Sequence, residues 1–254
     1  MLNRLIRSLF PGACLLCDAS LTPGVDLDLC EHCRASLPWI LGGCHRCGLP
    51  LPAGMVGACA DCTRRPPPYS RTIAPLSYEQ PVAHWIRQLK DHAGMVEGRT
   101  LGLLLADAAA SVYADVPRPD ALIPVPLTLG RLARRGHNQA VALGLPVARR
   151  LGIPLLRTGA RRVRRAAPQR GLRLEQRLRN LDDAFATRMA FDGCRIGIVD
   201  DVMTTGSTAS GLAQALLRAG AAEVHVLCAA RALRVRTEHS RAEHVRAKPD
   251  RTLP

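Results

Sequence analysis

Eight of the ten cysteines in this chain fall before Thr63, in four C-x-x-C pairs, namely Cys14/Cys17, Cys30/Cys33, Cys44/Cys47 and Cys59/Cys62. No other feature restricts the fold as much. Two residues between cysteines let one tight turn aim both sulfurs at a single ion, and two such turns close a tetrahedral thiolate shell. Spacers of ten to twelve residues separate the pairs. Eight thiolates suit two structural zinc ions, each shared by neighbouring pairs or by alternate pairs. Gly48 follows Cys47, where such a turn needs a φ-permissive residue. A full thiolate shell leaves no open coordination position, which argues against a catalytic or redox role. His32 and His45 lie inside these turns and read as exposed bystanders. So small a module depends on its metal to fold. Cys194 and Cys228 sit far from it, at or beside strands, and are expected to be buried apolar residues.

Paired cysteines mean metal rather than disulfide in a reducing compartment. The opening MLNRLIRSLF is too short and interrupted for a secretory apolar region, and no small-residue cleavage site follows. No stretch approaches the roughly 18 apolar residues of a membrane span. The expectation is a cytoplasmic protein without a transmembrane segment.

Downstream of the cysteines, Arg64–Tyr69 (RRPPPY) reads as a stiff polar linker. The chain therefore divides into a zinc module over 1–65, a second domain over 70–231, and a basic tail over 232–254, without period and expected to be disordered. In the second domain short apolar runs alternate with helical patterns. Strands are predicted over Thr72–Tyr78, Ala121–Val125, Arg195–Val199 and Glu223–Ala229. Helices are predicted over Pro81–Asp91, Arg99–Asp115, Asn138–Leu151, Leu174–Leu181 and Thr208–Ala219, the third disturbed by Gly144 and Pro146. Such alternation means an α/β fold with a parallel sheet and crossovers. With aromatics at 3% of residues, Leu, Val, Ile and Ala must fill the core.

The run Ile196–Thr208 reads I-G-I-V-D-D-V-M-T-T-G-S-T. A buried strand delivers two adjacent carboxylates, Asp200 and Asp201, and then a turn rich in small hydroxyl residues enters a helix. Thr204, Thr205, Ser207 and Thr208 offer hydroxyl donors, and Gly206 lets backbone approach an anion closely. The N–H groups and dipole of the helix start favour a terminal phosphate. The two aspartates suit ribose hydroxyls, directly or through Mg²⁺. Such a site belongs at the carboxyl end of a parallel strand.

This loop resembles the phosphoribosyl diphosphate (PRPP) motif of type I phosphoribosyltransferases. Ile123–Leu127 (IPVPL), Arg131–Ala140 (RLARRGHNQA), Arg162, Arg164, Gln169 and Arg177–Leu181 follow one another in an order that, with the cysteine module, resembles the ComF family of competence proteins. The resemblance implies a zinc-ribbon-like module joined to a type I phosphoribosyltransferase-like fold. It implies a PRPP loop at Asp200, Asp201, Thr204, Thr205, Gly206, Ser207 and Thr208, with the two aspartates as the catalytic pair. It implies diphosphate or mobile-loop roles for Lys90, Pro124, Val125, Arg131, Arg135, Arg162, Arg164, Gln169 and Arg177. Two residues depart from the pattern. His137 stands where Phe is usual, as a shape-filling replacement or a polar pocket residue, and Ala166 stands where Thr is common.

The implied ligands are zinc, and Mg²⁺ with PRPP or a related phosphorylated sugar. The acceptor stays open, because Tyr78, Trp85, Tyr113 and Phe185 fit core positions better than a base platform. A second function of another class rests on charge. The net charge is +14, and Arg131–Arg179 carries a single acid, Glu175. Such a segment suits single-stranded DNA bound without sequence preference, the fold serving as a non-catalytic scaffold beside competence machinery.

Overall fold

The computed structural model describes residues 12–91, 94–163 and 184–233. In chain order, the cysteine module contributes two short helices, α1 (Glu31–Ala35) and α2 (Ala60–Arg64). Strands β1 (Arg71–Ile73) and β2 (Leu76–Ser77), helices α3 (Val82–Asp91) and α4 (Met95–Val112), and strand β3 (Ala121–Pro124) come next. Helices α5 (Leu129–Arg135) and α6 (Gln139–Leu151) precede strands β4 (Ala160–Arg162), β5 (Phe185–Thr187) and β6 (Arg195–Met203). Helix α7 (Ser207–Arg218) and strand β7 (Glu223–Arg231) complete the described elements.

The main sheet is parallel, in the order β1, β7, β6, β3, with β2 pairing β7 beyond the end of β1. Strands β4 and β5 form a separate antiparallel pair. The unbroken apolar character of β6 and β7 follows from burial on both faces. Side chains alternate along them. Val199, Leu227 and Ala229 meet α3, α4 and α6 through Leu89, Leu104 and Leu143. Ile198, Val226 and Cys228 meet α7 through Leu212 and Leu216.

Gly144 and Pro146, expected to disturb their helix, lie inside an unbroken α6. The reason is the tight fit of α6 against its neighbours. A Cβ at Gly102 on α4 would stand 2.8 Å from the Pro146 ring, and one at Gly144 would stand 2.9 Å from Leu155. Packing this close offsets the poor helix propensity of both residues.

Other boundaries also differ from expectation. Strand β6 runs on to Met203, so Asp200 and Asp201 lie within the strand, Asp200 paired with Cys228 of β7 and Val202 with Ala230. The single strand predicted over Thr72–Tyr78 divides at Ala74–Pro75, where proline has no N–H for a ladder. Arg131, Arg134 and Arg135 ride on a helix of their own, α5, capped by the Thr128 side chain and closed by Gly136 at φ 74°. Cys228 is buried as expected, but Cys194 is only partly so, because it sits in the turn before β6. Tyr69, read as part of a solvated linker, is 4% exposed. The predicted helix Leu174–Leu181, the basic segment beyond Val163, the opening MLNRLIRSLF and the tail from Arg234 lie outside the described residues.

The cysteine module covers the outer edge of the sheet. Ile40 N donates to Pro75 O and Ser77 N to Pro38 O, each at 2.8 Å, and Thr72 N donates to His45 O at 2.7 Å. An edge strand with its donors taken has no template for pairing with another chain. Arg99 on α4 reaches Asp28 at 2.8 Å, fixing the first half of the module to the helical layer.

Candidate zinc sites and strand-end loop

The sulfurs of Cys14, Cys17, Cys30 and Cys33 lie within 4.8 Å of one another, as do those of Cys44, Cys47, Cys59 and Cys62. Neighbouring pairs therefore share each site, and the alternate pairing falls away. Cys17 and Cys30 Sγ are 3.8 Å apart, as are Cys47 and Cys59 Sγ. A zinc tetrahedron with Zn–S near 2.3 Å has edges of about 3.8 Å, whereas a disulfide needs about 2.05 Å. Backbone amides support the sulfurs, Cys59 N donating to Cys44 Sγ at 3.2 Å and Cys33 N to Cys30 Sγ at 3.4 Å. His32 and His45 belong to neither cluster. Both are four-cysteine zinc-binding sites. Gly48 is held at φ 69°, and a Cβ there would come within 3.0 Å of Thr72, so turn geometry and docking both require glycine.

At the carboxyl end of β6, Asp201 Oδ1 accepts from Val202 N at 2.7 Å and Asp200 Oδ1 from Asp201 N at 2.9 Å. Lys90, at the end of α3, brings Nζ to 3.0 Å from Asp201 Oδ2. The approach lacks hydrogen-bond alignment, leaving Oδ2 a buried acceptor without a hydrogen-bond partner. Burial, and then the charge of Asp201, push Asp200 up to about 7, while Lys90 and Arg162 pull it down. Burial and then Arg131 lower the Arg162 guanidinium, and Asp200 opposes them. Lys90 and Arg162 thus act on the same carboxylate, and Arg131 stands near enough to Arg162 to oppose its charge. Arg162 also lies over the Phe185 ring, 5.3 Å from its centroid.

Past the carboxylates, Thr204 and Thr205 are exposed, Gly206 turns the chain at φ 80°, and α7 begins at Ser207. Thr205 Oγ1 donates to Ser207 Oγ at 3.0 Å. A recess joins Asp200, Thr204, Gly206, Ser207 and Thr208. Pro124 pairs with Val199, and Val125 N donates to Val199 O at 2.8 Å, so this segment flanks the carboxylate strand. Arg135 turns instead to Gln139, at 3.4 Å. Arg164, Gln169 and Arg177 lie outside the described residues.

Four residues whose contacts the sequence did not reveal shape this region. Asn138 ties the end of β3 to α6, donating to Val125 O at 3.0 Å and accepting from Ala140 N at 3.0 Å. His137 is half-buried between two carbonyls. Its nitrogens face Arg135 O at 2.9 Å and Leu89 O at 2.7 Å, stapling the Lys90 helix to the start of α6. Tyr69 and Arg231 brace the hydroxyl loop. A lone arginine closing the apolar run of β7 was the one available signal for the last of these.

Fold and clusters together define a zinc-ribbon protein built on a parallel α/β sheet. A profile of the double zinc ribbon domain matches residues 5–63. The DNA utilization protein YhgH of Salmonella typhi is 37% identical over 226 residues, covering 88% of this chain and 98% of its own. Competence protein F of Haemophilus influenzae is 33% identical over 222 residues, covering 80% and 96%. The chain belongs to the ComF family, to which these proteins belong. Among solved structures, a glutamine PRPP amidotransferase from B. subtilis aligns with 51% of this chain and 25% of its own, at 22% identity and a TM-score of 0.36. A purine phosphoribosyltransferase from Pyrococcus horikoshii aligns with 52% and 70%, at 21% identity and a TM-score of 0.32. No helix among the described residues is long and apolar enough to cross a membrane.

Proposed function

We propose that the Val199–Thr208 segment binds PRPP or a related phosphorylated sugar with Mg²⁺, and that this binding serves DNA utilisation, as the names of the relatives suggest. The observation that carries the proposal is the carboxylate pair at the end of β6, followed directly by the hydroxyl-rich turn into α7. The terminal phosphate takes the hydroxyls of Thr204, Thr205, Ser207 and Thr208 and the N–H groups of the helix start. Asp200 and Asp201 face the ribose and its cation.

Mg²⁺ fits this donor set. Asp200 and Asp201 are adjacent carboxylates, burial and mutual repulsion raise Asp200, and Lys90 is the one cation in ion-pair contact with them among the described residues, a donor set that a hard divalent cation suits. Asp200 and Asp201 would hold the ion, which would supply positive charge against the diphosphate. Lys90, Arg131 and Arg162 add fixed cations, electrostatic support of the kind that dominates such transfers. Calorimetric titration of PRPP with Mg²⁺ tests the proposal on wild type and on the Asp200→Asn/Asp201→Asn double variant. Binding in wild type that vanishes in the variant is expected. A folded, zinc-loaded wild type that binds nothing rejects it.

One observation favours a second reading, in which the fold grips single-stranded DNA without catalysis. Helix α5 buries none of its residues and presents Arg131 and Arg134 to solvent. Affinity for single strands then falls with a log–log salt slope of about −0.7 per phosphate contacted. A flat salt response removes this reading.

A further inference from the structure

We propose that the second zinc ribbon is a working part of the strand-end loop, positioning it through Arg231 and Tyr69, and that the first ribbon has no such role. This goes beyond the proposed ligand and rests on the loop being a phosphate site only for its affinity readout.

Arg231 closes β7 and is 3% exposed. Its Nε donates to Cys47 O at 2.8 Å, and Cys47 is a ligand of the second site. Its Nη1 donates to Met203 O at 2.7 Å, to Thr204 O, and to Ala232 O at 2.9 Å. One guanidinium thus holds a zinc turn and the junction where β6 becomes the loop. These bonds are all to backbone carbonyls, which carry no compensating charge. The Cys47 carbonyl is held in place for Arg231 by the turn whose sulfur belongs to the second site. An emptied site would free the turn that presents the Cys47 carbonyl and leave a buried guanidinium short of an acceptor, which is costly.

Tyr69 makes the second link. It is buried, its phenolic oxygen stands over Gly206, and it lines one groove with Cys47, Cys62, Thr205 and Ser210. A groove of about 710 Å³ is lined by Cys47 and Cys62 on one side and by Thr205 and Ser210 on the other. The first ribbon is anchored elsewhere, by Asp28 on Arg99 of α4.

The test uses three full-length variants. Cys59→Ser/Cys62→Ser empties the second site, Cys30→Ser/Cys33→Ser empties the first, and Arg231→Gln spares both. Zinc content, hydrogen exchange over residues 203–212 and affinity for PRPP with Mg²⁺ are read on each. Emptying the second site and Arg231→Gln are expected to speed exchange in the loop. They should also weaken affinity by about tenfold or more, the order set by losing hydrogen bonds to a charged group. Emptying the first site should leave both readouts within about twofold of wild type, since sites without shared partners act independently. Unchanged loop exchange in Arg231→Gln, or equal effects from the two zinc variants, overturns the coupling. A wild type that binds no PRPP, with loop exchange still rising only in the second-site and Arg231 variants, keeps the coupling and rejects the ligand.

Discussion

A Cβ at position 206 would stand 2.8 Å from the Tyr69 phenolic oxygen, so Tyr69 and the φ of 80° each demand glycine at the turn. Gly206→Ala is expected to cost about 1–3 kcal/mol, from overpacking and from left-handed strain. Tyr69→Phe removes the obstructing oxygen. In the double variant the steric part should return while the backbone part remains. Urea midpoints for the four proteins of this cycle measure the coupling. Simple additivity would show that Tyr69 does not set the space above the loop.

Asp200 supplies a pH prediction. Its carboxyl, raised by burial and by Asp201, holds its proton in the fold up to neutral pH, whereas Mg²⁺ requires the carboxylate. Binding of Mg²⁺ with PRPP should therefore tighten as pH rises toward about 7, by up to about tenfold per unit, with a proton released. Lys90→Met removes a charge that draws Asp200 down, so the midpoint should move to higher pH. Calorimetry in two buffers of different ionisation enthalpy reads the proton directly. Identical heats in both buffers would remove Asp200 from the cation site.

Much of this arrangement is written in local pattern. Cysteine spacing specifies two closed metal sites because two residues make one turn, and the apolar runs of β6 and β7 specify a buried parallel sheet. What local pattern omits is contact between distant segments. Which cysteine pairs meet depends on how the spacers fold back. Gly144 and Pro146 look like helix breakers until Gly102 and Leu155 are seen against them. Arg231 looks like the polar end of a strand, yet it is buried by a zinc turn 184 residues away. His137 departs from the family pattern and finds two carbonyls, one of them on α3. Each miss is a case of tertiary contact overriding local propensity.

At the amino ends of the strands, Glu223 accepts from Ser70 Oγ at 2.5 Å and from Arg195 Nε at 2.6 Å, and meets His225 Nε2 at 3.1 Å. Burial opposes ionisation of Glu223, but Ser70, Arg195 and His225 outweigh it and hold the carboxyl at about 2. Burial keeps His225 below its ordinary value. A depressed carboxyl stabilises the fold fully above its unfolded value near 4.5 and loses that contribution as pH falls toward 2. His225 adds a loss that begins below about 6.5, where the unfolded chain takes up protons first. Thermal melts should therefore drop from pH 7 into acid. Glu223→Gln should flatten the part below about pH 4.5, by about 1 kcal/mol given the partly exposed side chain. A variant profile parallel to wild type there would locate the acid sensitivity elsewhere.

Zinc removal should reach past the module that binds it. The ribbon supplies the carbonyls of Pro38 and His45 that occupy the Ser77 and Thr72 donors along β1 and β2, and a module of this size owes much of its folding free energy to metal. A chelator should first release the eight module thiols to a thiol reagent, with Cys228 protected by the sheet. The uncovered edge should then pair between chains, giving concentration-dependent association that returned zinc reverses before aggregation sets in. Light scattering against chelator, at two protein concentrations, follows this. A chelated protein that stays monomeric with its module thiols exposed would mean that β1 and β2 are too short to template a partner. The ribbon would then protect the edge by bracing it, not by hiding it.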